Sequence, residues 1–205
     1  MKNTEDLMEQ RRNEIIDACE ALYEEKGFHG ITIKDISQKT SFSRPSIYNY
    51  FQTKEEIFLA LYEREYDLWN KELETILTAH EGLSRTELAE LLARSLEKRE
   101  QLLKLLAMNN YDMEANSRPE LLVSFKRAYG KSLENMDRIL QKFCPELDAA
   151  RRQSFRLVFF PFMFGIYPYA AVTEKQRSAM EAADVDFHYL SIYELTLACL
   201  RRLLG

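Results

Sequence analysis

The stretch that decides the fold is residues 41–56, "SFSRPSIYNYFQTKEE". Three aromatic residues, Tyr48, Tyr50 and Phe51, lie within four positions of one another. A helix that packs in a core spaces its apolar residues three or four positions apart, and a loop has no need for three rings. These rings therefore indicate a short segment that is anchored on one side and presents polar groups on the other.

Helix signals on both sides of this stretch predict a helix-turn-helix. Thr32 can cap a second helix, and a third helix should run from Ser43 to Phe51 with a proline in its first turn. Thr53 and Glu56 form a T-x-x-E capping box for a long fourth helix. Two short helices joined by three or four residues and followed by a capped long helix are typical of this motif.

The predicted motif, at about residues 32–51, carries the residue types that bind DNA. Ile47 and Phe51 would hold the third helix against the domain and leave polar tips on the open face. Hydroxyl groups donate to phosphate oxygens, arginine binds guanine or phosphate, and asparagine can bind adenine. From position 30 to 54, three lysines and one arginine oppose one aspartate, a local charge of +3. The predicted DNA contacts are Thr32, Lys34, Ser43, Arg44, Pro45, Ser46, Tyr48, Asn49, Tyr50 and, touching phosphate at the start of the fourth helix, Lys54.

This segment resembles the N-terminal DNA-binding domain of the TetR family of transcriptional regulators. The chain departs from the family at Thr40-Ser41, where the family has a small residue and then glycine, and at Pro45 and Asn49. A serine in a left-handed turn at position 41 would cost about 1 kcal/mol relative to glycine. The resemblance runs from about Glu9 to Tyr66 and is carried by Gly27-Phe28, Thr32, Ile36, Ser43, Tyr48, Tyr50-Phe51, Lys54-Glu55 and Ile57.

The rest of the chain predicts an all-α fold of about nine helices. Only six glycines and five prolines occur in 205 residues, fewer than turn-rich β proteins need. Ser84 and Glu87 form a second capping box, and Pro119 and Pro145 mark helix boundaries. We expect a DNA-binding domain at 1–68, joined through the long fourth helix to a helical effector-binding and dimerisation domain at 69–205.

The resemblance implies that the second domain forms a homodimer. The last helix has two apolar stripes, and the helix at about 148–165 has a similar excess of apolar residues, so each needs more than one neighbour. We expect these two helices to form a four-helix interface by two-fold symmetry, although ordinary core packing would give the same pattern. The predicted interface residues are Phe155, Phe162, Tyr193, Leu197, Leu200 and Leu204.

The resemblance also implies a small effector, which we expect to be apolar or amphipathic. Methionine and aromatic side chains form adaptable apolar walls, with asparagine and tyrosine as polar groups. Any one of these residues is as readily explained by core packing. The predicted pocket residues are Trp69, Met108, Asn109, Tyr111, Met113, Phe125, Tyr129, Phe159, Met163 and Tyr167.

Composition and spacing argue against several other classes of protein. A net charge of −5 disfavours a protein that coats nucleic acid without specificity. The N-terminal segment has no apolar run of a signal peptide, so we expect a cytoplasmic protein. The uncharged run at 157–172 is shorter than a membrane span and contains Pro161 and Pro168, which indicates a buried helix.

The sequence gives no sign of an enzyme, a cofactor or a metal. The three histidines are isolated, the three cysteines lack metal-ligand spacing, and no phosphate-binding or nucleophile motif occurs. We therefore predict a ligand-responsive repressor that binds a near-palindromic double-stranded DNA operator as a dimer. The alternatives are a similar DNA-binding protein controlled by a protein partner, which could dock at 173–184, or a small all-α enzyme.

Overall fold

Eleven helices and no strand make up the part of the chain that the structure describes, which confirms the all-α prediction. The structure is a computed structural model. It describes residues 2–108 and 110–205, with side chains described except those of residues 2–4, 110 and 112. The helices are α1 (Lys2–Lys26), α2 (Ile33–Gln38), α3 (Arg44–Ile47), α4 (Lys54–Ala79), α5 (Arg85–Glu97), α6 (Glu100–Leu106), α7 (Asn110–Ala115), α8 (Pro119–Phe143), α9 (Ala149–Ala170), α10 (Glu174–Ala182) and α11 (Ile192–Leu204).

The helix count exceeds nine because one predicted helix is broken and α7 was not foreseen. The apolar pattern after Ser84 predicts one helix as far as Leu106, but the backbone turns at Lys98 and Arg99. Arg99 has φ −112° and ψ 41°, outside the helical region. Its guanidinium lies 3.3 Å from the Glu72 carboxylate, so an ion pair to α4 accompanies the break.

Local capping signals set several of the helix ends. Gly27 ends α1 with a φ of +66°, and its N–H donates to the Tyr23 carbonyl (3.1 Å). Four helices begin with a reciprocal bond between the cap hydroxyl and the third residue of the helix, which satisfies amides that have no partner inside the helix. These pairs are Thr32 with Asp35, Ser84 with Glu87, Thr173 with Gln176 and Ser191 with Glu194.

The first compact unit, here called the N-terminal unit, consists of Met1–Arg64 and Asn109–Arg127. Its core contains the apolar face of α1 and the first three turns of α4, with Tyr23 edge-on to Phe58 at a centroid distance of 5.2 Å. Arg64 pairs with Asp17 and Glu20 of α1. The packing of α1 against α2 and of α2 against α3 completes the three-helix arrangement that carries the predicted motif.

The second compact unit, here called the larger unit, consists of Glu65–Met108 and Ala128–Gly205. Trp69 is fully buried, donates from Nε1 to Ser95 Oγ (3.1 Å) and lies 5.9 Å from the Phe160 ring. Two buried amides bond to each other, because Asn135 Nδ2 donates to Asn70 Oδ1 (3.2 Å). In this unit α11 packs on α5 and α9, and α9 packs on α6.

The uncharged run at 157–172 lies on α9 as far as Ala170, where this 22-residue helix ends, and Pro161 and Pro168 lie inside the helix. Within residues 2–108 and 110–205, no single helix has the length and apolar character to cross a membrane. Only α9 and α10 taken together meet that standard, and they are bent by 82° from each other. The polar segment after α9 forms α10, none of whose residues is buried.

Two of the three cysteines are buried. Cys19 and Cys144 are inside the fold, and Cys199 is half-buried on α11. Burial raises the pKa of the Cys19 thiol to about 12. A thiol that stays protonated at neutral pH is a poor nucleophile, so Cys19 acts as a small core residue.

The capping box at Ser84 provides a test of these helix boundaries. Ser84→Ala removes the hydrogen bond that the Glu87 amide donates to Ser84 Oγ, and we expect the free energy of unfolding to fall by about 1 kcal/mol. Urea denaturation followed by circular dichroism measures the change. Thr86→Ala removes an exposed hydroxyl from the same turn and should change stability by less than about 0.5 kcal/mol. Equal losses in both variants would contradict the cap.

Candidate nucleic-acid interface

The third helix is shorter than predicted. It spans only Arg44–Ile47, and the chain continues through Tyr48, Asn49 and Tyr50 in turns instead of α-helix. The amides of Asn49 and Tyr50 donate to carbonyls three residues earlier (3.3 and 2.8 Å), so the coil tightens at this end. The expected helix from Ser43 to Phe51 is therefore corrected to one helical turn followed by a tight turn.

Two apolar side chains fix this short helix to the N-terminal unit. Ile47 and Phe51 are buried, and the guanidinium carbon of Arg12 lies 5.6 Å from the Phe51 ring centre. Four residues are too few for a helix to be stable by itself in water. The burial of Ile47 and Phe51 therefore determines the position of the polar residues between and before them.

The turn between α2 and α3 is held by an acidic residue of α1. Both carboxylate oxygens of Glu14 accept hydrogen bonds from Ser41, one from its amide and one from its hydroxyl, the latter at 3.1 Å. Among the described non-glycine residues only Asp184 has a positive φ, so Ser41 does not adopt the left-handed conformation that we expected. Glu14 instead binds the amide of Ser41, and the expected strain is absent.

The polar side chains of α3 are mostly exposed. Arg44 extends along Tyr48, with Arg44 Nη2 donating to Tyr48 Oη (3.0 Å) and the guanidinium carbon 5.8 Å from the ring centre. The hydroxyls of Ser43 and Ser46 lie 3.2 Å apart. Of the predicted contacts, Ser43, Arg44, Pro45, Tyr48 and Asn49 are exposed, whereas Ser46 and Tyr50 are half-buried.

The two predicted contacts on α2 differ in their availability. Thr32 is exposed, but its hydroxyl accepts from the Asp35 amide (3.2 Å) and also bonds to the Asp35 carboxylate. These bonds from Thr32 lower the pKa of the Asp35 carboxyl, which therefore stays ionised in the cap. Lys34, in the first turn of α2, is exposed.

Lys54 is bound inside the N-terminal unit, where we had expected a phosphate contact. Its ammonium donates to the carbonyls of Phe28 (3.1 Å) and Ile31 (3.3 Å) and lies 4.2 Å from the Phe28 ring centre. An ammonium has three N–H donors, so one remains. The side chain therefore ties the start of α4 to the connector between α1 and α2.

The local positive charge is partly neutralised by the fold. Lys39 pairs with Glu25 (3.2 Å), an acidic residue of α1 outside the segment 30–54. Lys54 is turned inward, as described above. Lys39 is also exposed but is held in its ion pair, so within the described residues Arg44 and Lys34 are the exposed cations of the motif that have no acidic partner and could meet a phosphate or a base.

Sequence reasoning missed two residues that organise this surface, Glu14 and Arg118. The T-x-x-E pattern at Thr53 led us to expect that the Glu56 carboxylate bonds the cap residue. Half of that box is present, since the Glu56 amide donates to Thr53 Oγ1 (3.1 Å). The carboxylate instead accepts from the Gln52 amide and from Arg118, which is 62 residues away in the chain. The position of Glu56 directly before the apolar pair Ile57-Phe58 was the available signal in the sequence that Glu56 is buried.

The predicted effector residues are divided between the two units. Trp69, Phe159 and Met163 are fully buried in the core of the larger unit. Burial raises the pKa of the half-buried Tyr167, so its phenol stays a neutral hydrogen-bond donor. The members in the larger unit are Trp69, Met108, Tyr129, Phe159, Met163 and Tyr167.

The remaining predicted pocket residues belong to a different part of the fold. Met113 and Phe125 are buried in the N-terminal unit, and the Phe125 ring lies 4.8 Å from the Tyr62 ring. Tyr111 is 83% exposed and so does not form the wall of an apolar pocket. Asn109 lies outside the described residues.

The predicted dimer residues turn out to be mainly internal. Phe155, Leu200 and Leu204 are covered by the protomer itself, while Phe162, Tyr193 and Leu197 are half-buried. The Tyr193 ring is occupied on one face by the guanidinium of Arg94, 4.6 Å from its centre. The helices are the predicted ones, but their exposed faces carry other residues, which are described below.

Two sequence families match the chain in succession. The family described as "Bacterial regulatory proteins, tetR family" matches residues 15–61. The family described as "Tetracyclin repressor-like, C-terminal domain" matches residues 63–192.

Curated relatives match the N-terminal region. The uncharacterised HTH-type transcriptional regulator YfiR of Bacillus subtilis is 35% identical over 66 residues, which are 32% of each protein. The negative transcriptional regulator IcaR of the biofilm operon icaADBC in Staphylococcus epidermidis is 38% identical over 47 residues, 23% of this chain and 25% of IcaR. The matched region thus spans about a third or less of these relatives.

Solved structures match almost the whole chain. The transcriptional regulator FadR from Bacillus subtilis, in complex with stearoyl-CoA, has a TM-score of 0.63 at 17% identity and covers 94% of this chain and 97% of FadR. FadR from Thermus thermophilus, a repressor in complex with lauroyl-CoA, has a TM-score of 0.60 at 19% identity, covering 95% and 93%. These likenesses show a common fold. Because the second family match alone covers more than half of the sequence, the chain belongs to the TetR family.

Proposed function

We propose that this chain is a DNA-binding transcriptional regulator, a ligand-responsive repressor that binds a near-palindromic operator as a homodimer. The observation that carries the proposal is the anchored turn of α3, with Ile47 and Phe51 buried behind it and Arg44 and Asn49 exposed in front. Guanidinium and amide groups distinguish base pairs in the major groove, where each base pair presents a different pattern of donors and acceptors. Membership of the TetR family supports the same function.

Exposed residues of the motif divide into two roles. Arg44 and Asn49 have the chemistry for base edges, since arginine binds guanine and asparagine binds adenine through paired hydrogen bonds. Ser43, Tyr48 and Lys34 have the chemistry for phosphate oxygens. The hydrogen bond from Arg44 to Tyr48 holds the guanidinium in an extended position before DNA arrives, which reduces the ordering cost of binding.

An apolar stripe on α9 supports the homodimer. Leu157 is 67% exposed and Val158 is 51% exposed, and Pro161 and Phe164 continue the stripe at helical spacing. Monomeric soluble proteins rarely expose contiguous apolar patches of this kind. The stripe therefore fits a surface that a second copy covers.

The adjacent helix α11 adds a second row to this surface. Ile192, Leu195, Cys199 and Leu203 are half-buried and follow helical spacing, and α11 packs on α9 in the protomer. Two such helices related by a two-fold axis would make a four-helix interface. In a dimer the two α3 segments would enter successive major grooves about 34–36 Å apart, which requires a near-palindromic operator.

For the effector we propose a fatty acyl-CoA thioester. The supporting observations are the acyl-CoA complexes of the two FadR structures and the aromatic interior of the larger unit, where Tyr129 lies edge-on to Phe160 at 5.8 Å. Tyr167 would supply a neutral donor for a polar group. Because Trp69, Phe159 and Met163 already fill this core, an acyl chain would have to displace side chains as it enters.

The effector would act through its different affinities for two states of the dimer. Suppose that the ligand binds more tightly to a state in which the spacing of the α3 segments is different. It then lowers operator affinity by at most the ratio of its own affinities for the two states. A ligand with equal affinity for both states would leave DNA binding unchanged.

Substitution of Arg44 tests the base contact. The operator is first isolated by selecting bound genomic fragments, beginning with DNA around the protein's own gene. Arg44→Ala should weaken operator binding by about 1–3 kcal/mol and random-sequence binding by much less, because a base contact is lost. Fluorescence anisotropy with both DNAs measures the two affinities. Equal losses on operator and random DNA would remove the base-contact role of Arg44.

Substitution of Lys34 tests the phosphate contact. Lys34→Ala should lower affinity for all sequences and reduce the slope of log affinity against log salt by about one, since one fewer counterion is released. Lys175→Ala removes an exposed lysine from α10 and serves as the matched control. An unchanged salt slope in Lys34→Ala, or the same reduction in Lys175→Ala, would contradict the assignment.

A charge placed on the α9 stripe tests the dimer. Leu157→Glu would bury an unpaired carboxylate in the interface, which costs several kcal/mol, so the dimer dissociation constant should rise at least about a hundredfold. Sedimentation equilibrium at micromolar protein measures it. Val123→Glu is the control, because Val123 is a 49% exposed apolar residue of a different helix, α8. A wild-type monomer that binds operator tightly, or a Leu157→Glu protein that remains dimeric, would defeat the proposed interface.

Thermal unfolding tests the effector class. At a hundred times its dissociation constant, a ligand stabilises the native state by about 2.7 kcal/mol, which predicts a rise in Tm of about 5–10 °C for a protein of this size. We expect lauroyl-CoA or stearoyl-CoA to produce this rise and to release the operator, and CoA alone to do neither. The absence of both effects with a series of acyl chain lengths would exclude acyl-CoA.

A further inference from the structure

A buried carboxylate, that of Glu56, lies in the first turn of α4, beyond the end of α3. Glu56 is 1% exposed, yet its two oxygens accept four N–H donors. Oε1 accepts from the Arg118 amide (3.1 Å) and Nε (2.8 Å), and Oε2 accepts from Arg118 Nη2 (3.0 Å) and the Gln52 amide (2.7 Å). An arginine that binds a carboxylate through two parallel hydrogen bonds fixes both the distance and the plane of the pair.

Arg118 also holds the backbone that follows α3. Its Nη2 donates to the Tyr50 carbonyl (3.0 Å), one residue before the anchor Phe51. A second bond runs in the opposite direction, from Thr53 Oγ1 to the Asn116 carbonyl (2.9 Å). We call this set the clasp: Tyr50, Gln52, Thr53 and Glu56 on one side, and Asn116 and Arg118 on the other.

Both sides of the clasp belong to the N-terminal unit, but the chain reaches them by different routes. Tyr50 to Glu56 follow α3 directly. Asn116 and Arg118 lie in the segment Asn109–Arg127. The residues that precede this segment in the chain and those that follow it both belong to the larger unit. The clasp is therefore the point at which a segment continuous with the larger unit is hydrogen-bonded to the end of the DNA-binding turn.

The charges of the clasp distinguish the state in which Arg118 is bound to Glu56 from the state in which Arg118 has withdrawn. Burial alone would raise the pKa of the Glu56 carboxyl, but the hydrogen bonds from Arg118 and from the Gln52 amide lower it overall. Glu56 is therefore ionised at neutral pH. If Arg118 withdraws, a carboxylate is left buried without its cation, a condition that proteins relieve by moving the segment or admitting water.

We propose that Arg118 is a positioning residue for operator binding, which holds the end of the α3 turn through Tyr50 and Glu56 and releases it when Asn109–Arg127 is displaced. This inference rests on the proposed function. It explains why an arginine 62 residues away in the sequence provides three of the four donors to a buried carboxylate. It also gives the effector a defined target, since displacement of Asn109–Arg127 would break the clasp.

The experiment measures the affinity of Arg118→Gln for operator DNA and for random-sequence DNA and takes the ratio of the two. Both affinities are expressed per active dimer, and the active dimers are counted by stoichiometric titration. Loss of folded protein lowers the active fraction but leaves the ratio of the two affinities unchanged. Loss of positioning lowers operator affinity selectively, and we expect the ratio to fall at least about tenfold. Arg118→Lys keeps the charge but cannot bind both carboxylate oxygens in the same plane, so its ratio should be intermediate.

The matched control is Lys126→Gln, which removes an exposed ion pair with Glu114 (2.9 Å) from the same segment and should leave the ratio unchanged. Glu56→Gln, which keeps the side-chain shape, supplies a second variant if Arg118→Gln does not fold, and the same fall in the ratio is expected. An unchanged ratio in every folded clasp variant would overturn the inference while leaving DNA binding intact. A wild-type protein with no preference for any sequence would instead defeat the proposed function, and the inference with it.

Discussion

A single turn of helix has no stability of its own in water, and this constraint explains how the N-terminal unit is built. The turn Arg44–Ile47 exists because Ile47 and Phe51 are buried against neighbouring helices, and because Glu14 binds the turn before it. With those anchors buried, Arg44, Tyr48 and Asn49 are left exposed, whereas Ser46 and Tyr50 are half-buried. The clustered rings of residues 41–56 are therefore needed to present a short polar surface at a fixed position.

Beyond the anchors, the fold limits the charge that reaches this surface. Lys54 is turned toward two backbone carbonyls, and the exposed Lys39 is paired with a glutamate. The local excess of positive charge in the sequence therefore leaves two exposed cations without an acidic partner among the described residues, Lys34 and Arg44. Electrostatic attraction to phosphate provides most non-specific affinity for DNA. In the proposed function, a surface with few unpaired cations on a protein of net charge −5 would depend more on base contacts and on the pairing of two protomers. This balance favours specificity over affinity for DNA in general.

The sequence was informative wherever the cause of structure is local. Capping boxes such as Ser84 with Glu87 and helical periodicity are effects within a few residues, and the structure contains them. The short extent of α3 was missed because its last turn is set by hydrogen bonds and tertiary packing instead of by helix propensity. The pairing of Glu56 with Arg118 was missed for a stronger reason, since no local pattern relates residues 62 positions apart.

Helical periodicity could not identify the buried face of the two most apolar helices. On α9 and α11 apolar residues occur on more than one face, so spacing alone could not say which face meets the protomer's own core. Phe155 and Leu200 are internal, whereas Leu157 and Val158 are exposed, and only the packing of the surrounding helices distinguishes them. The same ambiguity affected the effector residues, where Trp69 fills the core and Tyr111 faces solvent.

The central claim is that the turn beginning at Arg44 lies in the major groove of DNA, and methylation interference tests it most directly. Dimethyl sulfate modifies guanine N7, which faces the major groove, and adenine N3, which faces the minor groove. Operator molecules methylated at N7 should be excluded from the bound fraction at two symmetric clusters of guanines about one helical turn apart. Binding that tolerates N7 methylation throughout, or interference confined to adenine N3, would show that this turn does not occupy the major groove.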